Sequence, residues 1–190
     1  MAYDSAATRA RLLDAAYTEF VERGLAGARV ERIAANAAAN KQAIYAYFGS
    51  KDALFDAVLD TRLQILADLV PFTPEDLPGY LGTLFDQLVT DPDLVRLTQW
   101  KALERTDASP GELEAHLAKA AELAGVQGTS TEEAMDVLML GLALVQAWIF
   151  TAPSIRNPDR DDDAARLKRH RAAVIRMAHS VGQLATGAES

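Results

Sequence analysis

An all-α fold is predicted for this chain of 190 residues, and three features predict it. Apolar residues recur at helical spacing, and no segment shows the strict alternation of a half-buried strand. Helix-start signals punctuate the second half: Asp91-Pro92-Asp93, Ser109-Pro110-Gly111-Glu112 and Ser130-Thr131-Glu132-Glu133 each set a capping side chain or an N1 proline ahead of a helical run. Near the N-terminus, two short apolar faces stand on either side of a tight turn, which is helix-turn-helix spacing. Hydrophobic residues make up 49% of the chain, enough to bury a core in one or two small domains.

The first helix carries Arg11-Leu12-Leu13-Asp14-Ala15-Ala16, with Phe20 and Gly24. In the second, which includes Val30, Ile33 and Ala34 share one face. Ala38-Ala39-Asn40 makes a three-residue turn, where alanine at 38 bears a steric cost if its φ is positive. The third helix is very short, about Lys41 to Tyr47. It buries Ile44 and, just beyond, Phe48. Lys41, Gln42, Ala43, Tyr45 and Tyr47 face outward, a mixture suited to base edges and phosphates in a major groove. Gly49 takes a left-handed position at its end, and Ser50 caps the helix that follows. Lys51 to Leu69 forms one long helix ended by Pro71 and joins this head to the rest. Pro71, Pro74 and Pro78 leave the next boundary open. Helices follow over Leu94 to Glu104, after Pro110, over Val137 to Phe150 and over about Asp163 to Leu184, and the last residues, Thr186 to Ser190, fray.

Lys51 falls in the first turn of its helix, where a cation opposes the helix dipole. A phosphate accounts for it, because free N–H groups at a helix start attract an anion and the lysine adds a full charge. The alternative is a solvated surface lysine. A net charge of −8 argues at first against a nucleic-acid partner. Its distribution removes the objection: residues 1 to 62 hold 8 Lys and Arg against 8 Asp and Glu, so the whole surplus lies beyond them. A neutral head with a few placed cations suits site-specific binding with little general attraction to DNA.

From about Thr8 to Asp60 the chain resembles the N-terminal domain of the TetR/AcrR family of bacterial transcriptional regulators. The likeness is carried by the first-helix residues above, by Val30 with Ile33-Ala34, and by Ile44-Tyr45-Ala46-Tyr47-Phe48-Gly49-Ser50-Lys51 with Leu54. By position, the resemblance implies Lys41, Gln42 and Ala43 at the base-facing start of a recognition helix, and Tyr45, Tyr47 and Lys51 at phosphates or the groove wall. The chain departs from the family pattern at three places. Ala38 stands where glycine is usual. Arg29 stands where a capping threonine is frequent; it cannot cap but can reach a phosphate. Ala43 offers only a methyl group to a thymine methyl, which leaves sequence readout to Lys41 and Gln42.

Val137 to Phe150 has only Gly141 and Gln146 as non-apolar members, so it must be covered on nearly every side. The run is shorter than the ~20 residues that span a bilayer, and no membrane association is expected. The final helix sets Leu167, Val174 and Val181 seven apart, with Ile175, Ala178 and Ala185 beside them. These two helices predict a four-helix homodimer interface, which the resemblance also implies; an internal helix pair in a monomer is the alternative. Phe72, Tyr80, Phe85, Trp100, Met135, Met139, Trp148 and Phe150 are core or line a ligand cavity. The candidate ligand site comprises Gln99, Trp100, Met139, Gln146 and Trp148, since an apolar pocket needs few polar groups to orient its ligand. Gln146 otherwise finds its partner within the protein.

The chain has no cysteine, which removes disulfides, thiolate metal sites and cysteine nucleophiles. Its start lacks an apolar leader, and a cytoplasmic location is expected. His170 and His179 fall on opposite sides of one helix and cannot share a metal, and His116 stands alone. Lys168-Arg169-His170-Arg171 spreads around its helix as solvated charge, with Asp162 one turn ahead of Arg166. No phosphate loop, nucleophile elbow or catalytic carboxylate pair appears, so neither an enzyme nor a cofactor is expected. The expected protein is a homodimeric TetR-like repressor with a helix-turn-helix DNA-binding domain over residues 1–50 and an effector-binding and dimerisation domain over residues 51–190. Its partners are a palindromic double-stranded DNA operator and a small apolar or amphipathic effector that releases it. An all-helical small-molecule carrier or enzyme whose head has lost DNA binding is the alternative that Ala38 and Ala43 keep open. A regulator that answers to a protein partner is a third.

Overall fold

A computed structural model describes residues 2–105, 107–158 and 162–184, with side chains from 5 to 182 within those ranges. Ala185 and the expected frayed end at 186–190 lie outside the described residues. All regular structure among the described residues is helical: α1 (Ala2–Gly27), α2 (Val30–Asn36), α3 (Lys41–Phe48), α4 (Lys51–Leu69), α5 (Leu77–Thr90), α6 (Pro92–Glu104), α7 (Pro110–Gln127), α8 (Thr131–Phe150), the single turn α9 (Pro153–Arg156) and α10 (Asp163–Leu184). A 3-10 turn, Pro74–Asp76, resolves the proline-rich boundary before α5.

The helices gather into two compact units, one of Met1–Ile65 with Asp93–Ser109 and one of Leu66–Pro92 with Pro110–Ser190. The packing boundary between these units falls inside α4. Leu54, Phe55, Val58 and Leu59 of α4 are buried with Leu12, Ala16, Phe20, Ile33 and Ile44 in the core of the first unit, and Leu97 of α6 joins them. Phe20 and Phe55 meet edge to face at 5.0 Å, the arrangement aromatic rings prefer.

Two contacts bind α6 to the end of α1. The Trp100 indole N–H donates to the carbonyl of Val21 at 3.1 Å, and the Glu104 carboxylate accepts the N–H of Ala26 at 3.0 Å. Gly24 makes that approach possible. Its φ of +68° breaks the helix, and a Cβ there would stand 2.7 Å from the Trp100 ring and 2.6 Å from the Glu104 carboxylate.

Glu19 anchors the start of α2 from α1, accepting the N–H of the cap residue itself, where a capping threonine would take one inside the helix. Only 4% exposed, its carboxylate accepts the backbone N–H of Arg29 at 2.9 Å and the Arg32 Nε–H at 2.8 Å, with a second contact to the other guanidinium nitrogen. Arg29 itself occupies the cap position with an extended backbone and no side-chain bond. Desolvation pushes the Glu19 carboxyl up, but the bonds from Arg32 and the Arg29 N–H, with the charges of Arg32 and Arg23, outweigh it and hold its pKa below the ordinary value.

The turn between α2 and α3 is closed by an alanine in a left-handed conformation, Ala38, with φ +49°. Arg11 steadies it by donating from Nε to the carbonyl of Ala37 at 3.1 Å. Asn40 then caps α3, its Oδ1 accepting the N–H of Ala43 at 2.8 Å. At the far end Gly49 takes φ +81°, and the Ser50 hydroxyl accepts the N–H of Ala53 at 3.0 Å, as the sequence predicts.

The second unit is built from α5, α7, α8 and α10. A capping box opens α8, with the Ser130 hydroxyl accepting the Glu133 N–H and the Glu133 carboxylate accepting the Ser130 N–H. Hydrogen bonds from the Thr129 hydroxyl, then from the Ser130 N–H and hydroxyl, pull the Glu133 carboxyl down to about 2. The helix reaches 20 residues, longer than its apolar run alone, and by length and composition it is able to cross a bilayer. Ala134, Val137, Leu138, Gly141, Val145 and Trp148 are nonetheless buried inside the unit.

The apolar stripe of α10 also faces inward, which corrects its expected place in a dimer interface. Val174, Ala178 and Val181 are 3%, 0% and 8% exposed within the chain itself. The outward apolar residues are Met139, Leu140 and Phe150 on α8 and Met177 on α10. Arg171 is not part of a solvated basic run, since its Nε sits 2.7 Å from the Asp86 carboxylate.

Ala38→Gly should stabilise the protein by about 0.5 to 1 kcal/mol. It relieves roughly 1 to 2 kcal/mol of left-handed strain and returns up to ~1 kcal/mol as unfolded-chain entropy. Denaturant midpoints at constant slope measure the difference. Glu19→Gln should cost roughly 1 to 3 kcal/mol near neutral pH. Because the folded pKa is lowered, that contribution is whole above the ordinary carboxyl value near 4.5 and is lost as the pH falls through the folded value. Unfolding curves of the two proteins should therefore converge in acid.

Candidate nucleic-acid interface

The outward face of α3 is held by what lies beneath it. Ile44 is fully buried, Phe48 is half-buried against the same core, and a short helix with one anchored face has its opposite face fixed in direction. Gln42 is exposed, Tyr45 is 45% exposed and Tyr47 is 36% exposed. Lys41 is exposed too, but its ammonium is engaged 2.6 Å from the Glu31 carboxylate of α2. The Glu31 hydrogen bond raises the Lys41 pKa, and the same bond lowers that of Glu31.

Two expected positions differ from their prediction. Ala43 is half-buried and packs against the core, because neighbouring positions of a helix stand about 100° apart and Ala43 falls at the edge of the face that Ile44 anchors. Lys51 is half-buried and donates to the carbonyls of Leu25 at 2.7 Å and Ala28 at 3.2 Å. These carbonyls end α1 and begin its link to α2, so a lysine that opposes its own helix dipole is explained by the terminus of another helix.

The start of α1 contributes residues that sequence reasoning missed. The Tyr47 hydroxyl donates to Ser5 Oγ at 3.0 Å, and the Arg9 guanidinium lies 5.2 Å from the centroid of the Phe48 ring. Arg9 is exposed and stands beside the end of α3. Its signal was its position one turn before Leu12 and Leu13, on the face that approaches α3. Arg29 is exposed at the start of α2.

The five ligand-site candidates divide between the two units. Gln99 and Trp100 belong to the first unit, where Gln99 is exposed and the Trp100 indole is committed to Val21. Met139, Gln146 and Trp148 belong to the second. Met139 is 53% exposed, whereas Trp148 is buried between the His170 ring, 5.1 Å away, and the guanidinium groups of Arg156 and Arg166. Among the described residues no group of three or more His, Cys, Asp or Glu side chains is placed to hold a metal.

Comparison with known proteins agrees with this architecture. Residues 12–58 match the model of bacterial regulatory proteins of the tetR family, and residues 76–179 match that of the tetracyclin repressor-like C-terminal domain. The second match includes the whole of α8, the helix long and apolar enough to span a membrane. The chain is 39% identical over 163 residues to the HTH-type transcriptional repressor SCO4008 of Streptomyces coelicolor, covering 82% of this chain and 84% of that one. It is 42% identical over 99 residues to the HTH-type transcriptional repressor NicS of Pseudomonas putida, over 47% of this chain and 46% of that one. A solved structure of the transcriptional regulator SCO4942 from Streptomyces coelicolor superposes with a TM-score of 0.74 at 35% identity, over 90% of this chain and 97% of that one. The helix-turn-helix, the helical body and these likenesses together make the chain a member of the TetR family of bacterial transcriptional regulators.

Proposed function

We propose that the protein is a homodimeric transcriptional repressor that binds a palindromic operator through α3 and leaves it when a small apolar or amphipathic ligand binds the second unit. The observation that carries this reading is the outward face of α3: Lys41, Gln42, Tyr45 and Tyr47 project from a helix whose other side is anchored by Ile44. Gln42 reads a base edge, Tyr45 and Tyr47 meet the groove wall, and Arg29 and Arg9 reach phosphates. Lys41 joins them by exchanging Glu31 for DNA. Lys51 acts from behind, holding the end of α1 against the start of α4. A genome-wide binding selection with the purified protein tests the class, and enrichment of a palindromic motif is the expected result.

The outer faces of α8 and α10 supply the dimer. Met139 and Phe150, eleven residues apart, share one face of α8 with Leu140 at its flank, and Met177 extends the apolar surface on α10. Effector binding changes the separation of the two recognition helices through α4, in which the chain passes from one unit to the other. Paired readers need half-sites about one helical turn apart, ~34 to 36 Å, so a small change of tilt spoils both contacts.

Gln42→Ala should relax preference at one base position at ~1 to 3 kcal/mol and leave the salt slope unchanged. Lys51→Ala should instead lower the denaturant midpoint, because two carbonyls lose their donor, while the salt slope of the folded fraction stays as it was. A slope reduced by ~1 would return Lys51 to the phosphate contacts. Leu140→Asp, on an exposed surface, should yield a folded monomer by sedimentation; a dimer of unchanged affinity would move the interface off α8. Linkage governs the switch. Operator DNA must weaken ligand affinity by the same factor that ligand weakens DNA affinity, with up to ~5.5 kcal/mol needed for a complete reversal of populations. Calorimetry of ligand into free protein and into the operator complex should give unequal affinities, and equal ones would end the derepression reading alone.

A further inference from the structure

Lys119, on α7, is half-buried with its ammonium 5.8 Å from the ring centroids of both Phe72 and Tyr80. The two rings meet edge to face at 5.0 Å. Lys119 makes no ion pair among the described residues, and its hydrogen bond to the Tyr80 hydroxyl is a long 3.4 Å. A lysine withdrawn from water normally finds a carboxylate or lets its charge reach the surface. Here two ring faces offset part of the desolvation, and among the described residues no carboxylate lies within ion-pair distance of the ammonium.

Tyr80 is 7% exposed, and its oxygen accepts from Lys119, which leaves its own proton to donate. Burial raises the Tyr80 pKa and so keeps that proton in place. Burial likewise lowers the Lys119 pKa, against the charge of Glu122. Two donors of different kind, an ammonium and a phenol, thus converge beside an apolar ring.

We propose that Lys119, Tyr80 and Phe72 form a carboxylate-binding subsite, in which one oxygen of an organic acid takes the Lys119 ammonium, the other takes the Tyr80 hydroxyl, and the apolar body of the acid lies against Phe72. The effector is therefore an acid, and this part of the inference rests on the derepression reading above. An inorganic anion would meet the charge but leave the ring face uncovered.

The test uses the full-length protein with benzoate and octanoate, their neutral amides benzamide and octanamide, and inorganic phosphate. Calorimetry reads affinity, and peptide mapping after brief acetic anhydride treatment reads the accessibility of the Lys119 amine. At least one acid should bind and slow the acetylation of Lys119, with its amide and phosphate at least tenfold weaker. Lys119→Met should weaken that acid about ten- to a hundredfold, as expected for loss of a charged hydrogen bond, and Lys119→Arg should recover part of the loss. Equal binding of acid and amide, phosphate protection as strong as that of the acids, an acid whose affinity is indifferent to Lys119→Met, or no acid binding at millimolar concentration would each overturn the subsite. The same samples are titrated with operator DNA. An acid that protects Lys119 without releasing DNA keeps the subsite and removes the derepression reading, whereas release by a ligand indifferent to Lys119→Met does the reverse.

Discussion

The DNA-reading head depends on one buried carboxylate. Glu19 reaches across from α1 to the N–H of Arg29, the residue that caps α2, and to Arg32 one turn later, so it fixes both where α2 begins and how it is rotated about its axis. Everything downstream inherits that rotation. The turn at Ala38 follows α2 directly, α3 follows the turn, and the outward face of α3 is defined only relative to Ile44 in the shared core. A carboxylate that exposes 4% of its surface would be costly if unpaired, so the alternatives to this rotation are penalised as strongly as the native arrangement is held.

The same economy of charge explains how a head with no net charge addresses a polyanion. Half of the 8 Lys and Arg in residues 1 to 62 are engaged by the fold itself: Arg11 on a carbonyl, Arg32 on Glu19, Arg62 on Asp14 and the Tyr17 ring, Lys51 on two carbonyls. Formal charge therefore overstates what is available for phosphate. Lys41 sits between these cases, since its partner Glu31 is exposed and an exposed ion pair is weak enough to be exchanged for another anion.

Much of this was legible in the sequence, and the boundaries show where legibility stopped. The Lys51–Leu69 helix, the Asn40 turn, the Gly49 and Ser50 caps and the Ser130 capping box follow from local chemistry and appear where that chemistry puts them. Local chemistry also raised the cost of a positive φ at Ala38. What the sequence did not disclose was which of two apolar faces would be covered by the chain itself. Val174 and Val181 make a regular stripe whether their partner is another subunit or α5 and α8, because periodicity gives the face and not what it meets. The contacts of Lys51 and Trp100 were not legible for a related reason: each answers to a group far along the chain, the carbonyls of Leu25 and Ala28 in one case and that of Val21 in the other.

The attachment of α6 to the first unit bears on how such a protein can evolve. Leu97 completes the core around Phe20, and Trp100 and Glu104 close on the break at Gly24, so part of the head is encoded some thirty residues after α4 has left it. A recombination event that exchanged the first 65 residues for those of a paralogue would import a head without its last supporting helix and would set a foreign α1 against a resident Trp100. The head is thus not a cassette. On the exposed face of α3, by contrast, Gln42 and Tyr45 can be exchanged one at a time, whereas Lys41 and Tyr47 answer to Glu31 and Ser5.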